Sequence, residues 1–385
     1  MPPNSIHGVV GNPTPRPEPA PSMLPAAAYT SAEVLAWELR HLYAGSWTCL
    51  GRLDELLADG TTQRGVRVGD VPGLLTSEAG VVRLFANTCR HRGHELLSDG
   101  GSGDRSAVVC PYHAWIYDLG GRLLAAPGYR GVAGFDAAEH GLVELPSAVW
   151  RGWVFGHGVH PRGTAEVVPF EEHLGALDDL ITAYLMEDLR LGERHVYEVA
   201  ANWKVIAENY HECYHCPQIH PELCAVSPPT SGDNYDLPGA WVGGRMDLRE
   251  GMATMSLTGE SGGRPIPGAP ATTVEYVHLL PNLLVSAHPD YVMTHRLTPL
   301  RPGRTRIECS WWFLPDDEGR LPDPAYAVEF WDLTNRQDWA ACESVQRGLA
   351  SPHFRPGPFA PGEDAVARFA GMIARAYDER GCPLS

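Results

Sequence analysis

The sequence of 385 residues contains no long apolar segment and has relatively little positive charge. No apolar run approaches the roughly 20 residues that a membrane-spanning helix needs, so we expect no membrane segment. The N-terminus has no basic stretch followed by an apolar core, which argues against a secretory signal. With 30 basic and 47 acidic residues the formal charge is −17. Neither nucleic acid nor an anionic membrane is therefore expected as a partner.

The nine cysteines are odd in number and do not suggest a disulfide framework in a chain of this length. Several of them stand beside histidines, which indicates metal chemistry in a reducing compartment, and the cytoplasm is the predicted location. The chain is long enough for two domains. Hydrophobic residues make up 44% of it, enough to fill sizeable cores.

The N-terminal half is predicted to hold a tail, a helix and a small all-β domain. Residues 1–24 are rich in proline and lack periodicity, which predicts a disordered tail. Thr30 and Glu33 form a capping-box pattern that would begin a helix within residues 25–46. Short strands separated by glycine-rich turns then fill residues 47–160, and 157–163 would be a linker. The predicted strands include 81–86, 107–109 and 150–155, and Gly120-Gly121 reads as a hairpin turn.

Residues 165–385 mix helices and strands and predict a second domain of α+β class. Helices are expected at 202–215 and 326–349. Strands of an antiparallel sheet are expected at 273–280, 283–287, 291–298 and 305–313.

Two segments of the β domain each carry one cysteine and one histidine. They read Cys-Arg-His-Arg-Gly from Cys89 and Cys-Pro-Tyr-His-Ala-Trp from Cys110. In a Rieske [2Fe–2S] centre two thiolates hold one iron and two imidazoles hold the other. This rule assigns Cys89 and Cys110 to one iron, and His91 and His113 to the other. A structural zinc site is the alternative, although zinc fingers usually pair cysteine with cysteine and histidine with histidine.

A second group of possible ligands lies at Glu212, His215 and His220. Glu212 and His215 are three residues apart and would share a helix face. Pro217 would stop the helix, so that His220 folds back towards His215. Two imidazoles and a carboxylate would form the facial triad of a non-haem Fe(II) oxygenase.

The spacing in this segment leaves other readings open. His211 lies four residues before His215, so a zinc-type histidine pair is possible. Cys213 and Cys216 form a CxxC, which is weak evidence for zinc or redox chemistry without a second pair. The third iron ligand would lie in the late helix, where Asp332, Asp338 and Glu343 are candidates that chemistry alone does not separate.

Several motifs together resemble those of Rieske non-haem iron oxygenase alpha subunits. Asn-Trp-Lys from Asn202, followed by Glu-x2-His-x4-His, is similar to the mononuclear-iron motif of that family. The resemblance extends over nearly the whole chain after residue 25 and includes Trp-Arg-Gly-Trp-Val-Phe from Trp150. The pattern Gln-Asp, Glu, Gln-Arg-Gly from Gln337 implies Asp338 as the third ligand. Ala114 departs from the glycine usual in the family, and the loop before Cys110 is slightly longer than usual.

The resemblance implies a fold and an assembly. The expected fold is an all-β Rieske domain near the N-terminus of a helix-grip (START-like) α+β catalytic domain, with a [2Fe–2S] cluster and a mononuclear Fe(II). A homotrimer is expected, as is a separate flavin and iron–sulfur reductase that supplies electrons from NAD(P)H. A pure electron carrier would not need the second domain, and a pure binding protein would not need the cluster ligands.

The residue at position 212 bears on the substrate. Ring dioxygenases usually carry aspartate there, whereas glutamate is typical of the branch that resembles choline, carnitine and glycine betaine monooxygenases. The resemblance implies that Glu212 carries electrons between the two centres. It implies O2-dependent hydroxylation and N-demethylation of a small quaternary ammonium compound, glycine betaine first. The alternative is an aromatic or natural-product substrate.

Overall fold

The computed structural model describes residues 21–159 and 167–379. Its N-terminal half is built mainly of short antiparallel strands, and its C-terminal half combines a seven-stranded antiparallel sheet with helices. No helix of these described ranges is both long and apolar enough to cross a membrane. The linker predicted at 157–163 lies largely outside the described residues.

The N-terminal segment packs on the C-terminal half of the chain. It holds α1 (Ala27–Thr30), α2 (Ala32–Glu38) and a π-helical turn, Leu39–Tyr43. Leu35 and Leu42 share a core with Trp203 and Phe369, far along the chain. The cap predicted at Thr30 is wrong by one residue, because the Ser31 hydroxyl accepts the Val34 N–H at 3.2 Å.

The prediction of a disordered tail over residues 1–24 mostly falls outside the described residues. It is wrong for 21–24, where the structure is tied to the C-terminal half. Ser22 forms a β-bridge with Pro358, and Leu24 is buried in the same core as α2.

The β domain consists of three small antiparallel sheets with orders β1-β11-β10, β5-β2-β3-β4-β9 and β6-β7-β8. A short helix, α3 (Leu53–Leu56), follows the first strand. The strands are β1 (Thr48–Arg52), β2 (Gln63–Val68), β3 (Val71–Glu78), β4 (Val81–Ala86), β5 (Ser102–Gly103), β6 (Ala107–Val109), β7 (Ile116–Asp118), β8 (Leu123–Ala125), β9 (Glu144–Leu145), β10 (Ser147–Trp150) and β11 (Trp153–Gly156).

In the β domain the structure agrees with one predicted turn and differs from one predicted strand. Gly121 has φ +84° between β7 and β8, which suits the predicted hairpin turn. The single strand predicted at 150–155 is wrong. Arg151 and Gly152, with φ of +51° and +83°, turn the chain so that β10 pairs with β11.

The C-terminal half is organised around the sheet β12-β18-β17-β16-β15-β14-β13. Its strands are β12 (Arg190–Val199), β13 (Asp233–Asn234), β14 (Trp241–Asp247), β15 (Thr273–Leu279), β16 (Leu283–Ala287), β17 (Tyr291–Arg301) and β18 (Arg304–Phe313). Its helices are α4 (Phe170–Leu174), α5 (Leu177–Ile181), α6 (Trp203–Tyr210), α7 (Cys216–Ile219), α8 (Pro221–Val226), α9 (Ala325–Leu349) and α10 (Asp364–Asp378).

The long helix α9 packs against one face of this sheet. Phe330 and Trp331 of α9 share a core with Met293 and Trp311 of the sheet, while Cys342 joins the core that contains α6. The face between α6, α9 and the sheet therefore brings together residues more than a hundred positions apart in sequence.

The helix predicted at 202–215 is shorter than expected. Asn202 caps α6 by accepting the Lys204 N–H at 3.0 Å, and the helix ends at Tyr210. Pro217 does not stop a helix but lies in the first turn of α7, where proline is favoured because no backbone donor is lost. Glu212 and His215 therefore lie on a turn between two helices.

Candidate metal centres and substrate pocket

The first candidate centre lies on two loops of the β domain. Cys89 follows β4, and its N–H donates to the carbonyl of His94 at 2.9 Å. Cys110 follows β6, and its N–H donates to the carbonyl of Trp115 at 2.8 Å. Each loop is thus closed by a backbone hydrogen bond that holds its cysteine in the domain interior, where both cysteine residues are 2% exposed.

The two loops bring the four predicted ligands together in two pairs. Cys89 and Cys110 belong to one buried cluster, and burial raises the pKa of the Cys110 thiol. The rings of His91 and His113 are 4.7 Å apart between centroids. Burial, followed by the charge of His91, lowers the pKa of His113, which favours the neutral imidazole that metals bind.

Two neighbouring aromatic residues hold this arrangement. The Tyr117 hydroxyl lies 3.3 Å from Cys89 Sγ, and the His91 ring stacks on Trp115 with centroids 5.0 Å apart. His91 Nδ1 is buried without a hydrogen-bond partner among the described residues. A buried imidazole nitrogen with a free lone pair fits an iron ligand.

The zinc alternative does not fit this geometry. Four donors on one zinc ion would all lie within about 4 Å of each other, because each bond is about 2.0–2.3 Å long. Among the described residues the only group of three or more such donors within 4.8 Å of one another is His215, His220 and Asp338. Separate thiol and imidazole pairs suit a two-iron cluster.

The second candidate centre combines a turn, a short helix and the middle of α9. His215 precedes α7, and His220 lies between α7 and α8. Asp338 Oδ1 lies 2.8 Å from His220 Nε2 and 3.3 Å from His215 Nε2. The two imidazoles and the carboxylate therefore face one point, as a facial triad requires.

Each histidine of this group is oriented by a second contact. Glu212 contacts His215 Nδ1, and its other oxygen accepts the His215 N–H at 3.1 Å. Gln337 Oε1 accepts the His220 Nδ1 proton at 2.7 Å. Both contacts place the ring proton on Nδ1 and leave Nε2 free for a metal. Sequence reasoning missed Gln337 in this role, although it directly precedes Asp338.

The charges of the group favour an ionised carboxylate. Burial raises the pKa of Asp338, but hydrogen bonds from His215 and His220 outweigh burial and lower the pKa overall. Burial lowers the pKa of His215, but Asp338 and Glu212 together raise it to about 9. A cation placed between the three side chains would replace that proton.

The other candidate ligands named from the sequence contact different partners and lie outside the group of His215, His220 and Asp338. Asp332 pairs with Arg336 at 2.7 Å and accepts the Tyr197 hydroxyl at 2.6 Å. Glu343 accepts the Ala200 N–H at 3.0 Å. His211 is buried and hydrogen-bonds His278 at 3.3 Å rather than joining the group.

Cys213 and Cys216 are joined in a disulfide. The sequence predicted no disulfide framework, and this pair on the turn between Glu212 and α7 is an exception. Six other described cysteines are free.

A cavity of about 790 Å³ opens beside the second centre. Its wall includes the three side chains of the candidate triad together with Met246, Leu284 and Met293. Its tyrosine and tryptophan residues are Tyr210, Tyr214, Tyr276, Trp331 and Trp339, and its further histidines are His211 and His295. A mostly apolar cleft with a few polar groups is typical of a small-molecule site.

The aromatic residues considered from the sequence are only partly at this cavity. Tyr214 lies at its edge and is 71% exposed. Tyr291 and Trp312 are buried in separate cores. Sequence reasoning missed Trp331, which the α-helical spacing of 331, 335 and 338 could have placed on the face of Asp338.

Comparison with known proteins identifies the class. The model of the ring hydroxylating alpha subunit catalytic domain matches residues 186–379, and that of the Rieske [2Fe–2S] domain matches 46–136. The chain therefore belongs to the Rieske-type ring-hydroxylating oxygenase alpha subunits, which carry a [2Fe–2S] cluster and a mononuclear iron. It is an oxidoreductase of mixed α+β fold.

Within this family the chain is similar to oxygenase subunits with named substrates. It is 35% identical to the carnitine monooxygenase oxygenase subunit of Escherichia coli, over 92% of this chain and 94% of the relative. It is 30% identical to the glycine betaine monooxygenase oxygenase subunit of Chromohalobacter salexigens, over 87% and 81%.

Solved structures with the same fold superpose on this chain. A quaternary ammonium Rieske monooxygenase superposes with TM-score 0.75 at 26% identity, over 92% of this chain and 95% of the other. Naphthalene 1,2-dioxygenase from Rhodococcus, at 18% identity, TM-score 0.68 and coverage of 93% and 94%, shares the fold.

Proposed function

We propose that the chain is the oxygenase component of a monooxygenase that hydroxylates an N-methyl group of a small quaternary ammonium compound. The observation that carries this proposal is the aromatic wall beside the candidate triad. Tyr210, Tyr276 and Trp331 line the same cavity as Asp338. Aromatic faces attract an alkylammonium cation, by about 2 kcal/mol or more where water is excluded. The two relatives named for carnitine and glycine betaine support the same substrate class.

The residues divide into holding and orienting groups. We assign Cys89, His91, Cys110 and His113 to the cluster, and His215, His220 and Asp338 to the mononuclear iron. When bound, the [2Fe–2S] cluster would supply electrons and the mononuclear iron would activate O2. Side chains of the protein have two further roles. The aromatic wall positions the N-methyl group, and Glu212 and Gln337 hold protons on the Nδ1 atoms of the histidines assigned to the iron.

Glu212 is also assigned as the bridge between the two centres. Its hydrogen bonds among the described residues go to His215 and to the Tyr214 N–H, and none reaches His91 or His113 of the same chain. This supports a bridge to the cluster of another subunit. We accordingly propose a cytoplasmic homotrimer that receives electrons from a separate flavin and iron–sulfur reductase.

The test is an oxygen-uptake assay with a reductase and a panel of substrates. Hydroxylation of an N-methyl group gives a carbinolamine that loses formaldehyde, so uptake and formaldehyde should rise together with glycine betaine or a close analogue. Uptake with aromatic compounds and with none of betaine, carnitine or choline would instead support an aromatic or natural-product substrate.

A further inference from the structure

The turn between Glu212 and α7 carries a disulfide that the proposed function does not use. Cys213 and Cys216 form it, and their Cα atoms are 4.9 Å apart, within the range that a disulfide requires. A bond between residues only three positions apart constrains an unfolded chain less than a long-range bond would. Stabilisation of the fold is therefore a poor explanation for this bond.

The two cysteines differ in their exposure to solvent. Cys213 is partly exposed, whereas Cys216 is 3% exposed. Both belong to the wall of the cavity beside the candidate triad. In a reducing compartment, such as the proposed cytoplasmic location, the few disulfides that occur are usually transient and redox-sensing. Cys213 is the cysteine of this pair that a small oxidant in solution meets first.

The disulfide encloses the two backbone N–H groups that hold the Glu212 carboxylate. Glu212 Oε2 accepts the N–H of Tyr214 and that of His215, the latter at 3.1 Å, while Oε1 contacts His215 Nδ1. Tyr214 and His215 are the residues between the bonded cysteines, so the bond restricts the orientation of both N–H groups. The Glu212 side chain is 12% exposed. The carboxylate is thus held against its own turn, with little surface for a histidine of another subunit.

The rest of the turn offers little resistance to movement. One backbone hydrogen bond crosses it, from the Cys216 N–H to the Cys213 carbonyl at 3.2 Å. Tyr214, in the middle of the turn, is 71% exposed, so its side chain contributes little packing. Without the disulfide the two N–H groups can therefore turn away from Glu212 Oε2, while Oε1 keeps its contact with His215.

We infer that Cys213 and Cys216 form a redox switch that controls electron transfer through Glu212. In the oxidised form the carboxylate is held on its own chain, and electrons pass slowly to the iron site. In the reduced form Glu212 Oε2 is free to accept a hydrogen bond from a cluster histidine of another subunit. The inference rests on the proposed function, because it requires Glu212 to be the bridge between the two centres.

The switching reaction needs a two-electron oxidant, and hydrogen peroxide, the product of two-electron reduction of O2, suffices. The Cys213 thiol attacks one peroxide oxygen, the O–O bond breaks, a water leaves and a sulfenic acid forms on Cys213. The Cys216 thiol then attacks Cys213 Sγ, the S–S bond forms and a second water leaves. Two thiols are thereby oxidised and one peroxide is reduced to two waters. A dithiol reverses the reaction by thiol–disulfide exchange and itself becomes a disulfide.

The first test needs no substrate and compares two samples of the holoprotein, one treated with hydrogen peroxide and one reduced with dithiothreitol. Differential alkylation followed by mass spectrometry measures the bond between Cys213 and Cys216, which we expect only in the oxidised sample. Hydrogen–deuterium exchange measures the turn. We expect the Tyr214 and His215 amides to exchange about tenfold faster after reduction, the effect of losing about one hydrogen bond.

The second test measures turnover of the same two samples with the reductase. We expect the oxidised sample to be slower by about tenfold or more, the scale seen when a residue that orients a metal ligand is disturbed. Dithiothreitol should restore the rate. Iron analysis and the Rieske EPR signal should be the same in both samples, which separates the switch from loss of a metal.

Variants assign the two cysteines. Cys216→Ser should leave a sulfenic acid on Cys213, which dimedone traps, and the amides of the turn should still exchange fast after peroxide. Cys213→Ser should have equal turnover before and after peroxide. Cys224→Ser is the matched control, because Cys224 on the nearby helix α8 is a free, partly exposed cysteine. That variant should respond to peroxide as the wild type does.

The outcomes separate failure of the switch from failure of the proposed function. No bond between the cysteines after peroxide, equal exchange in the two samples, or undiminished turnover of the oxidised sample would overturn the switch while the proposed function stands. A bonded, protected turn in a protein that oxidises no quaternary ammonium compound would support the switch and overturn the proposed substrate. The two wild-type samples decide the matter even if a variant fails to fold.

Discussion

At the scale of single residues, the candidate iron site depends on which nitrogen of each histidine carries its proton. Glu212 and Gln337 contact the Nδ1 atoms of His215 and His220, and Asp338 faces both Nε2 atoms. Residues that orient metal ligands in this way typically change metal affinity 10- to 100-fold when they are removed. The ligands and their orienting partners are therefore best tested separately.

Asp338→Ala should remove the mononuclear iron, because Asp338 is the only carboxylate of the described residues that contacts both His215 and His220. We expect turnover to fall by more than about 100-fold while the Rieske EPR signal of the reduced protein persists. Iron analysis and EPR on the same sample measure both effects. Asp332→Ala and Glu343→Ala are matched controls on the same helix. Loss of iron in either control, with iron retained in Asp338→Ala, would show that Asp338 is not the ligand.

Glu212→Gln should separate electron transfer from metal binding. The amide keeps the shape of the side chain and loses the charge that holds the His215 proton on Nδ1. We expect both metals to remain, the cluster to be reducible and product to fall by about 100-fold or more. Single-turnover product analysis with a chemically reduced cluster measures this. Wild-type product yield in the variant would exclude a role for the carboxylate.

At the scale of secondary-structure elements, a buried ion pair joins α2 to α6. Lys204, the only lysine in the sequence, contacts Glu38 at 2.5 Å, and both side chains are fully buried. Glu38 also accepts hydrogen bonds from Trp203 Nε1, at 2.9 Å, and from the Tyr377 hydroxyl. The carboxylate is thus held by three donors from two distant parts of the chain.

Lys204→Met should destabilise the protein by about 3–5 kcal/mol, because it leaves the Glu38 carboxylate buried without a counter-charge. Chemical unfolding followed by circular dichroism measures the change. The double variant with Glu38→Gln should recover part of the loss, since the two sites are coupled. Arg40→Ala is the control, because its exposed pair with Asp70 is worth at most about 1 kcal/mol. Equal losses in Lys204→Met and Arg40→Ala would contradict this role.

At the scale of the whole molecule, several histidines are buried uncharged. Burial lowers the pKa of His173 and His278 to about 4 and that of His288 to about 3. An unfolded chain would protonate them near pH 6.5. Between pH 6.5 and 4 the unfolded state therefore binds more protons than the folded state, and stability falls as pH falls.

The free energy of unfolding should accordingly decrease below pH 6.5, by up to about 1.4 kcal/mol per pH unit for each such histidine. Urea titrations at pH values from 7.5 to 5 measure the slope. His173→Gln should reduce this slope by the contribution of one proton, up to about 1.4 kcal/mol per pH unit. The exposed His353 offers the control His353→Gln, which should leave the slope unchanged. A stability that stays constant down to pH 5 would show that these histidines are not buried neutral.

The sequence by itself determined the features that depend on local rules. Proposed loop ligands such as Cys89 and His91 are two residues apart, and Asn202 caps the helix that starts at the next residue, so motif and propensity suffice to find them. Strands β15 to β18 and helix α9 begin and end within a few residues of the predicted bounds because hydrophobic periodicity marks them. The helix expected to reach 215 was too long, since periodicity does not reveal the turn that follows Tyr210.

Only the tertiary structure decided which distant residues meet. Asp332, Asp338 and Glu343 lie on one helix and are chemically alike, so spacing cannot choose among them. Packing of α9 against α6 and the sheet brings Asp338 to His220, 118 positions away, and turns Asp332 towards Tyr197. The wall formed by Tyr276, His295 and Trp339 likewise depends on strand register and helix docking. A shift of one residue in β15 or β17 would turn Tyr276 or His295 to the opposite face of the sheet.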